Sequence, residues 1–459
     1  MKLDSKILSY LFDYFNNSNV EYCVMNNYEN MPEIIPTDVD IAIDNDTLKK
    51  LDTILANISA RYNVEIIQKI WHGYRKFAYI LSPLKIDSPF RLQLDFFVDF
   101  SGKGYPNLIS NNILLKNRKS FKNFYVPDPT VELLFLFIRR IIKNDMVNRH
   151  TDKMIILINE IGYERARGIF SEIFGDEISN TILELIKSNN ISEFQKNLNK
   201  YRKALKKWSK KNTSIGYRIN YLLTQVRRFS IRLRYPVGFS IALLGPDGSG
   251  KSTIAKHILE RVSGSFHGEK IQYWRPYLLP AMGRLKFWNP SEDIATNPRP
   301  HDHPKQNRIK SFIRFFYYLA DYLIGYPIKI YWAKVKKKII IFDRYYYDYL
   351  VDLHRYNFNL PKWIPKFFLP LISAPDLTIY LDADPEVLHN RKKELPLHEL
   401  KRQCEEFKKA LAQIPNSMSV LADKPINEIV SEVSYQILKK KSLQTKKILN
   451  GWKHCTYNM

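Results

Sequence analysis

The chain contains 459 residues, which is enough for about three domains of ordinary size or two large ones. Hydrophobic residues make up 45% and charged residues 25%, a balance that excludes a fibrous repeat or a largely disordered chain. The 71 Lys and Arg residues outnumber the 46 Asp and Glu residues and give a net charge of +25. This charge favours anionic partners such as polyphosphates, nucleic acid or an anionic membrane surface.

The cysteines and histidines indicate neither a disulfide framework nor a metal site. Cys23, Cys404 and Cys455 are spread over the whole chain and form no C-x-x-C pair. His301 and His303 lie close together in the Pro-bounded sequence PRPHDHP but have no Cys partners, which is typical of an ordinary loop. We therefore expect a reduced, intracellular protein.

The sequence also lacks the patterns of a signal peptide or a membrane span. Charged residues interrupt the opening sequence MKLDSKILSYLFDYF. The most apolar run, VELLFLFI (131–138), ends at Arg139, well short of the roughly 18 residues that a span needs. These features predict a soluble cytoplasmic protein.

Residues 1–200 are expected to form one α+β domain with a helical extension. Short strand-like runs such as VDIAI (39–43) and RLQLDFFVDF (91–100) alternate with loops that contain Pro, Asn and Gly. From about residue 130 onward, apolar residues recur at helical spacing.

Three carboxylates in this first domain are candidates for a metal site. Asp38 and Asp40 are two positions apart on a predicted strand, so both side chains leave the same face. Asp95 lies on a later strand, with Asp99 as the alternative third ligand. Converging carboxylates of this kind can hold Mg²⁺ for nucleotidyl transfer. The pattern resembles the nucleotidyltransferase fold, although NNY (26–28) replaces that family's Gly-Ser turn, and both an active transferase and a catalytically quiet binding domain stay open.

Residues 201–236 are predicted to form a basic linker. This segment contains no Asp or Glu, and its positive residues are Arg202, Lys203, Lys206, Lys207, Lys210, Lys211, Arg218, Arg227, Arg228, Arg232 and Arg234. One interpretation is a solvated helix between domains. The other is docking on phosphate-rich ligands or anionic lipid, with Trp208, Leu222 and Phe229 among the apolar contacts.

Residues 237–440 show the strand and helix alternation of an α/β domain, and residues 441–459 are predicted to be a tail. The predicted strands are FSIALLG (239–245), IQYW (271–274), KIIIFD (338–343), LTIYLD (377–382) and SVLAD (419–423). Apolar runs bounded by polar breaks are typical of strands that are buried on both faces of a parallel sheet. We therefore expect a five-stranded parallel sheet flanked by helices.

The sequence GPDGSGKS (245–252) fits the phosphate-loop pattern G-x-x-x-x-G-K-[ST] and lies between a predicted strand and a predicted helix. In such a loop, backbone N–H groups wrap a triphosphate. Lys251 would reach the β and γ phosphates of ATP, and the Ser252 hydroxyl would bind Mg²⁺. The residues predicted to bind ATP are Gly245, Pro246, Asp247, Gly248, Ser249, Gly250, Lys251, Ser252 and Thr253.

Later sequences extend this predicted site. In KIIIFDRYYYD, Asp343 ends a buried strand, where it can hold Mg²⁺, and Arg344 follows, where it can clamp a phosphate. Basic residues after LTIYLDADPEVLHN, including Arg391 and Arg402, could close over the transferring group as a lid. Lys251, Asp343, Arg344, Arg391 and Arg402 are therefore the predicted catalytic residues.

Three sequences in the second half resemble the thymidylate kinase family of nucleoside monophosphate kinases: ALLGPDGSGKST, YLADYLIGYPIKIYWAKVKKKIIIFDRYYYD and PDLTIYLDADPEVLHNRKKEL. The likeness covers nearly all of residues 238–440. It implies a five-stranded parallel sheet, ATP with Mg²⁺, and transfer of the γ-phosphoryl group to an acceptor. It also implies that Asp247 contacts the acceptor's sugar, that Arg344 lies between the donor and acceptor phosphates, and that Arg391 or Arg402 acts from the lid.

The acceptor-reading positions depart from that family. WRPYLLP, with Arg275, replaces R-E-P-G-G-T, and Tyr322 replaces the Arg that follows A-D. The combination of WRP, DYLIGY and DRYYYD also resembles kinase-like proteins of bacterial surface-polysaccharide synthesis, which implies a sugar or glycan acceptor. A sugar hydroxyl benefits from a carboxylate that takes its proton, and Asp247 or Asp348 could do so. Asp247, Arg275, Tyr322 and Asp348 are therefore the predicted acceptor-binding residues.

The sequence thus predicts an ATP-dependent phosphotransferase of the thymidylate kinase-like class that acts on a nucleotide, sugar or glycan. One alternative is a nucleic-acid end-processing enzyme, which the lack of a base-stacking module argues against. The other is a non-catalytic ATP-binding regulator, which the intact Lys251, Ser252 and Asp343 argue against. A homodimer stays open.

Overall fold

The computed structural model describes residues 1–102, 104–280, 282 and 307–452, and it divides into two compact units. The first unit contains Met1–Ser82, Arg91–Ser230 and Thr445–Met459, and the second contains Pro83–Phe90 and Ile231–Gln444. None of the described helices is both long enough and apolar enough to cross a membrane.

The first unit is built on a mixed five-stranded sheet. Its strands are β1 (Tyr22–Val24), β2 (Asp38–Ile43), β3 (Glu65–Gly73), β4 (Lys76–Ser82) and β5 (Leu92–Phe97), in the spatial order β1-β2-β5-β4-β3. β2 and β5 run parallel, and the other neighbouring pairs are antiparallel. The register of β2 on β5 sets Asp40 opposite Asp95, so strand pairing brings two of the predicted carboxylates together.

Two short hairpins follow the sheet, formed by β6 (Phe100–Gly102) with β7 (Tyr105–Ile109) and by β8 (Lys119–Phe121) with β9 (Phe124–Val126). The helices of this unit are α1 (Leu3–Asn17), α2 (Asn45–Tyr62), α3 (Asn111–Leu115), α4 (Pro129–Lys143), α5 (Asn148–Ile161), α6 (Tyr163–Phe174), α7 (Asp176–Lys187), α8 (Ile191–Lys211) and α9 (Ile215–Arg234), which runs past the boundary of the unit.

α4 is the central helix of the helical part. It begins where the Asp128 side chain accepts a hydrogen bond from the Thr130 backbone N–H (2.9 Å), and Pro129 fits the first turn because it has no N–H to satisfy. Most of the helix is buried, including Arg139 and Arg140. The positive residues that end the apolar run in the sequence therefore lie inside the fold.

Residues 201–236, predicted as a linker, are largely helical. Tyr201 and Leu205 belong to α8 and lie in the hydrophobic core of the first unit. The two residues are four positions apart, so they share the helix face that packs inward, while the lysines between and after them point outward. The apolar spacing therefore makes the α8 part of this segment a part of the first unit, which extends to Ser230.

The second unit contains the predicted five-stranded parallel sheet, which the structure confirms. Its strands are β10 (Phe239–Leu244), β11 (Glu269–Tyr273), β12 (Ile339–Asp343), β13 (Leu377–Asp382) and β14 (Ser417–Leu421), in the order β11-β12-β10-β13-β14 with every pair parallel. β10 is buried at every residue, as expected for a central strand covered on both faces.

The helices of this unit are α10 (Lys251–Val262), α11 (Arg308–Gly325), α12 (Trp332–Val335), α13 (Trp363–Phe368), α14 (Pro385–Arg391), α15 (Leu397–Leu411) and α16 (Ile426–Trp452), which continues into the segment predicted as a tail. Because parallel strands end at the same edge of a sheet, the residues that follow β10 and β12 lie side by side at its carboxyl edge.

Candidate active site

The phosphate loop, residues 245–252, connects β10 to α10 at the carboxyl edge of the sheet. Gly248 has a φ of +85°, and a Cβ there would lie 3.0 Å from the Leu388 carbonyl oxygen, so both the backbone conformation and the space require glycine. α10 begins at Lys251, and its first N–H groups point into the loop. This arrangement forms a cradle for an anion.

The Lys251 side chain closes the loop from inside. Its ammonium group donates hydrogen bonds to the carbonyl oxygens of Gly245 (2.9 Å) and Pro246 (2.8 Å) and to the Ser249 hydroxyl (3.2 Å). Burial, assisted by the positive charge of Arg344, lowers the pKa of Lys251 to about 7. A triphosphate in the loop would favour the charged form of this amine.

Ser252 and Asp343 meet at the start of α10. β12 lies beside β10, and the Ser252 hydroxyl donates a hydrogen bond to the Asp343 carboxylate at the end of β12. A hydroxyl and a carboxylate in contact are the oxygen donors that Mg²⁺ takes beside a bound nucleotide. The two predicted magnesium ligands therefore fit the ion.

Arg344 is fixed between two carboxylates. It donates to Asp247 of the phosphate loop (2.6 Å) and to Asp348 (2.8 Å). Its backbone is left-handed, with φ of +75°, and its N–H donates to the Leu243 carbonyl oxygen of β10 (3.0 Å). A left-handed conformation is costly for a long side chain and is kept where surrounding contacts impose it, commonly at functional sites. The predicted clamp is therefore held rigidly beside the loop.

Arg355 also binds this cluster, although it lies in no sequence motif of the site. Its guanidinium donates to the second oxygen of Asp247 and lies 3.5 Å from the Tyr273 hydroxyl. The next residue, Tyr356, donates its hydroxyl to Asp348 (3.1 Å). The one available signal is an arginine inside the aromatic stretch that follows DRYYYD, because a cation in such surroundings needs a partner.

The two carboxylates have opposite electrostatic environments. Burial alone would raise the pKa of Asp247, but the charges of Arg344, Lys251 and Arg355 outweigh it, so this pKa lies far below its ordinary value. For Asp348, burial dominates over the nearby Arg344, so its pKa is raised. Asp348 exposes 1% of its side chain and Asp247 13%, which makes Asp247 the carboxylate that an acceptor can reach.

Arg275 and Tyr322, both predicted to contact the acceptor, are core residues. The guanidinium of Arg275 is fully buried and forms an ion pair with Asp321 (2.7 Å). The Tyr322 hydroxyl donates to the Trp274 carbonyl oxygen (2.7 Å) inside an aromatic cluster. Their long side chains point into the fold because they hold the segment after β11 in place.

Asp321 holds the segment after β11 through several hydrogen bonds. Besides Arg275, it accepts hydrogen bonds from the backbone N–H groups of Tyr277, Leu278 and Leu279 at 2.7–2.9 Å. Gly325, one turn later on α11, lets the segment approach closely, since a Cβ there would lie 2.9 Å from the Pro276 side chain. The segments WRPYLLP and DYLIG therefore pack closely against each other and are joined by the hydrogen bonds of Asp321.

The two predicted lid residues, Arg391 and Arg402, have different neighbours. The Arg391 Cβ lies 3.8 Å, and the Lys392 Cβ 3.4 Å, from the position a Cβ on Gly248 would take. Arg391 donates to the Ala422 carbonyl oxygen (3.2 Å), whereas Arg402 pairs with Glu399 and donates to the Val351 carbonyl oxygen. The end of α14 thus borders the loop directly.

In the first unit, Asp38, Asp40 and Asp95 converge, with ligand atoms within 4.8 Å of one another. Arg139 of α4 donates to Asp40 in a buried ion pair. Burial alone would raise the pKa of Asp40, but the positive charge of Arg139 outweighs burial, so this pKa is lowered. Burial raises the pKa of Asp95 to about 6. A guanidinium thus already neutralises part of the cluster, and a metal ion there stays a prediction.

Asp99 does not join the carboxylate cluster. β5 ends at Phe97, and the Asp99 carboxylate accepts hydrogen bonds from the Asn111 backbone N–H (3.0 Å) and the Tyr217 hydroxyl (3.1 Å). The spacing of four in the sequence suggested a shared strand face, but the strand is shorter than predicted. Among the described residues, Cys23 and Cys404 are buried free thiols, while His301, His303 and Cys455 lie outside the described ranges.

This sequence matches no protein-family model and no curated protein. Among solved structures, it is similar to a thymidylate kinase from Candida albicans, with 20% identity, a TM-score of 0.34, and coverage of 45% of this chain and 93% of that one. It is also similar to a deoxyadenosine kinase from M. mycoides, with 16% identity, a TM-score of 0.28, and coverage of 43% of this chain and 97% of that one. Similarities of this size carry no weight for function, which depends here on the phosphate loop and its neighbours.

Proposed function

We propose that this protein is an ATP-dependent phosphotransferase whose site is the carboxyl edge of the second unit's sheet. The contact between Ser252 and Asp343 carries the proposal most strongly. The two residues come from separate elements, one at the end of the phosphate loop and one at the end of the neighbouring strand, and a phosphate loop needs this pair for Mg²⁺.

The roles of the side chains follow from their positions. Backbone N–H groups of the phosphate loop hold the triphosphate, and Lys251 exchanges its loop carbonyls for the β and γ phosphates. Ser252 and Asp343 would hold Mg²⁺, which supplies charge neutralisation on the phosphates. Arg344 lies where it can stabilise the charge of the transferring γ-phosphoryl group.

The charges around the loop favour a neutral acceptor. Arg344 and Arg355 face two carboxylates, because Asp247 pairs with both guanidinium groups and Asp348 pairs with Arg344 as well. An acceptor that is itself a phosphate would need a cation other than this paired couple, and Tyr322 stands where the resembling family has an arginine. We therefore favour a sugar or glycan hydroxyl over a nucleoside monophosphate.

Asp247 suits the binding of such a hydroxyl. It is ionised, reachable and fixed at the loop by two guanidinium groups, so a hydroxyl that donates to it is oriented towards the γ phosphate. Its low pKa makes it an orienting acceptor of a hydrogen bond rather than a strong base.

The test is an acceptor panel with γ-labelled ATP and Mg²⁺, comparing thymidylate, other nucleoside monophosphates, free sugars, lipid-linked glycans and nucleic-acid 5′ ends. We expect label on a sugar or glycan, and none with a Lys251→Ala variant, while Lys256→Ala on the exposed face of α10 keeps full activity. Label only on a monophosphate would contradict the proposed sugar or glycan acceptor. Label only on nucleic acid would favour a nucleic-acid end-processing enzyme. ATP that is neither bound nor consumed would overturn the phosphotransferase itself.

A further inference from the structure

α9 carries an exposed apolar face that the proposed phosphotransferase site does not use. Its members each expose more than half of their surface: Ile215, Ile219, Leu222, Leu223 and Val226. At 100° per residue they fall on one side of the helix, so they form one stripe, here called the apolar face of α9. Apolar stripes of this kind normally face a core or a partner.

The opposite side of α9 is anchored to the first unit. Tyr221 is buried and accepts a hydrogen bond from the Gly104 backbone N–H (3.1 Å). Tyr217 donates to Asp99 (3.1 Å), and Arg228 donates to the His72 carbonyl oxygen. These contacts fix the rotation of the helix, so the apolar face is presented outward by the fold.

Positive charge borders the apolar face. Helical spacing puts Arg218 on one shoulder of the stripe and Arg227 on the other. The exposed lysines of the preceding helix, α8, are Lys203, Lys206, Lys207, Lys210 and Lys211. Because residues 201–235 contain no Asp or Glu, nothing in this segment offsets these charges.

The partner must therefore offer both an apolar interior and an anionic surface. Nucleic acid supplies the anions but leaves the apolar stripe against water. A second copy of this chain would cover the stripe but would set arginine against arginine, since the segment has no acidic residue. A bilayer that contains anionic lipid supplies both components.

We propose that the apolar face of α9 lies in the surface of an anionic lipid bilayer, with the flanking Arg218 and Arg227 on the headgroups. The helix lies in the plane of the interface, with the apolar side chains among the upper acyl groups. The first unit is then held at the membrane surface on one defined side.

The experiment is flotation of the full chain with vesicles of phosphatidylcholine alone or mixed with phosphatidylglycerol. We expect binding to the mixed vesicles, weaker binding as salt rises, and little binding to phosphatidylcholine alone. The paired variant Leu222→Gln/Val226→Gln should weaken binding at least tenfold. Its matched control, Ile113→Gln/Ile156→Gln, removes two exposed apolar residues elsewhere in the first unit and should leave binding unchanged.

The charges are tested separately. Arg218→Gln/Arg227→Gln should weaken binding by about fivefold for each charge removed, whereas Arg149→Gln/Arg165→Gln, an equal change of net charge elsewhere, should not. Absence of binding to mixed vesicles, equal binding to neutral ones, or wild-type binding by Leu222→Gln/Val226→Gln would each overturn the proposal. A dimer that dissociates in that variant, without vesicle binding, would overturn it in favour of a second copy.

Discussion

Arg355 donates a hydrogen bond to Asp247 of the phosphate loop, 108 positions earlier in the chain. Arg344 holds the other oxygen of the same carboxylate, so Asp247 is fixed from two sides. This relationship connects the loop to the 3₁₀ turn His354–Tyr356, which lies outside every sequence motif of the site.

Replacing Arg355 tests whether it positions Asp247 for the acceptor. We expect Arg355→Gln to lower kcat/KM for the acceptor by about 100-fold, because Asp247 loses one of the two groups that orient it. KM for ATP should change less than twofold, since Lys251 and the loop backbone stay intact. Steady-state kinetics with each substrate varied separates the two effects. Lys362→Gln, which breaks a surface ion pair with Glu406, should behave as wild type, and a rise in KM for ATP alone would contradict the role of Arg355.

Asp343 is expected to set the magnesium requirement. Asp343→Asn removes the charge beside Ser252, so the Mg²⁺ concentration for half-maximal ATP turnover should rise by at least about tenfold. Asp382→Asn is the matched control, because Asp382 also ends a strand of this sheet but pairs with the exposed Lys408. Titration of turnover with Mg²⁺ measures both variants, and identical titrations would show that Asp343 does not bind the ion.

Lys251 should make ATP affinity depend on pH. Its pKa is lowered to about 7 in the free protein by burial and the nearby Arg344, whereas a bound triphosphate raises it, so ATP binding takes up a proton above that pH. The Kd for ATP should therefore increase by up to about tenfold per pH unit above 7. Calorimetry at pH values well above the second pKa of a phosphate group, about 6 for phosphate monoesters, keeps titration of the nucleotide small. Lys251→Arg stays charged and should give a flat profile, so a flat wild-type profile would reject the mechanism.

Much of the second unit could be predicted because its strands and its phosphate loop are each specified by residues that are close together in the sequence. A buried parallel strand is an apolar run in the sequence, and the phosphate loop needs its glycines and lysine at fixed spacing, so both are visible without the fold. Arg355 was missed because only the packing of a distant turn brings it to Asp247. Arg275 and Tyr322 were placed at the acceptor by resemblance, but the sequence does not show that Asp321 and the aromatic cluster bury them.

In the first unit, too, a contact between residues distant in the sequence could not be predicted. Alternation within β2 and β5 predicted that Asp38, Asp40 and Asp95 could converge, and strand pairing brings them together. The partner of Asp40, however, is Arg139, which comes from a helix 99 positions away. In the sequence, Arg139 looked like the polar end of an apolar run, and its burial depends on the carboxylate that it meets in the fold.

Close packing at Gly325 and open space at Gly168 predict opposite effects on stability for alanine at these two positions. Gly325→Ala should destabilise the second unit by about 1–3 kcal/mol, since the new Cβ meets Pro276 and Leu278. Gly168→Ala in α6 meets no atom within 4 Å and should stabilise the first unit by up to about 1 kcal/mol. Urea unfolding followed by hydrogen exchange reports each unit separately. A neutral Gly325→Ala would mean that the close approach is not maintained.

The first unit should tolerate loss of both partners of the buried Asp40–Arg139 pair far better than loss of one. Arg139→Met leaves a buried carboxylate unpaired and should cost about 3–5 kcal/mol, while the double variant with Asp40→Asn should recover most of that loss. Lys196→Met, which removes an exposed pair with Glu193, should cost less than about 1 kcal/mol. Urea unfolding of the first unit measures all three variants, and additive losses in the double variant would exclude direct coupling.

The hydrogen bonds from Lys251 to the loop carbonyls have a consequence for how quickly a nucleotide is captured. They hold the loop in shape without a ligand, so little chain ordering is left for the moment of binding. Capture then amounts to an exchange of partners by one ammonium group, a movement of a single side chain. In the proposed phosphotransferase, the slow step is therefore expected to lie elsewhere, in acceptor positioning or product departure.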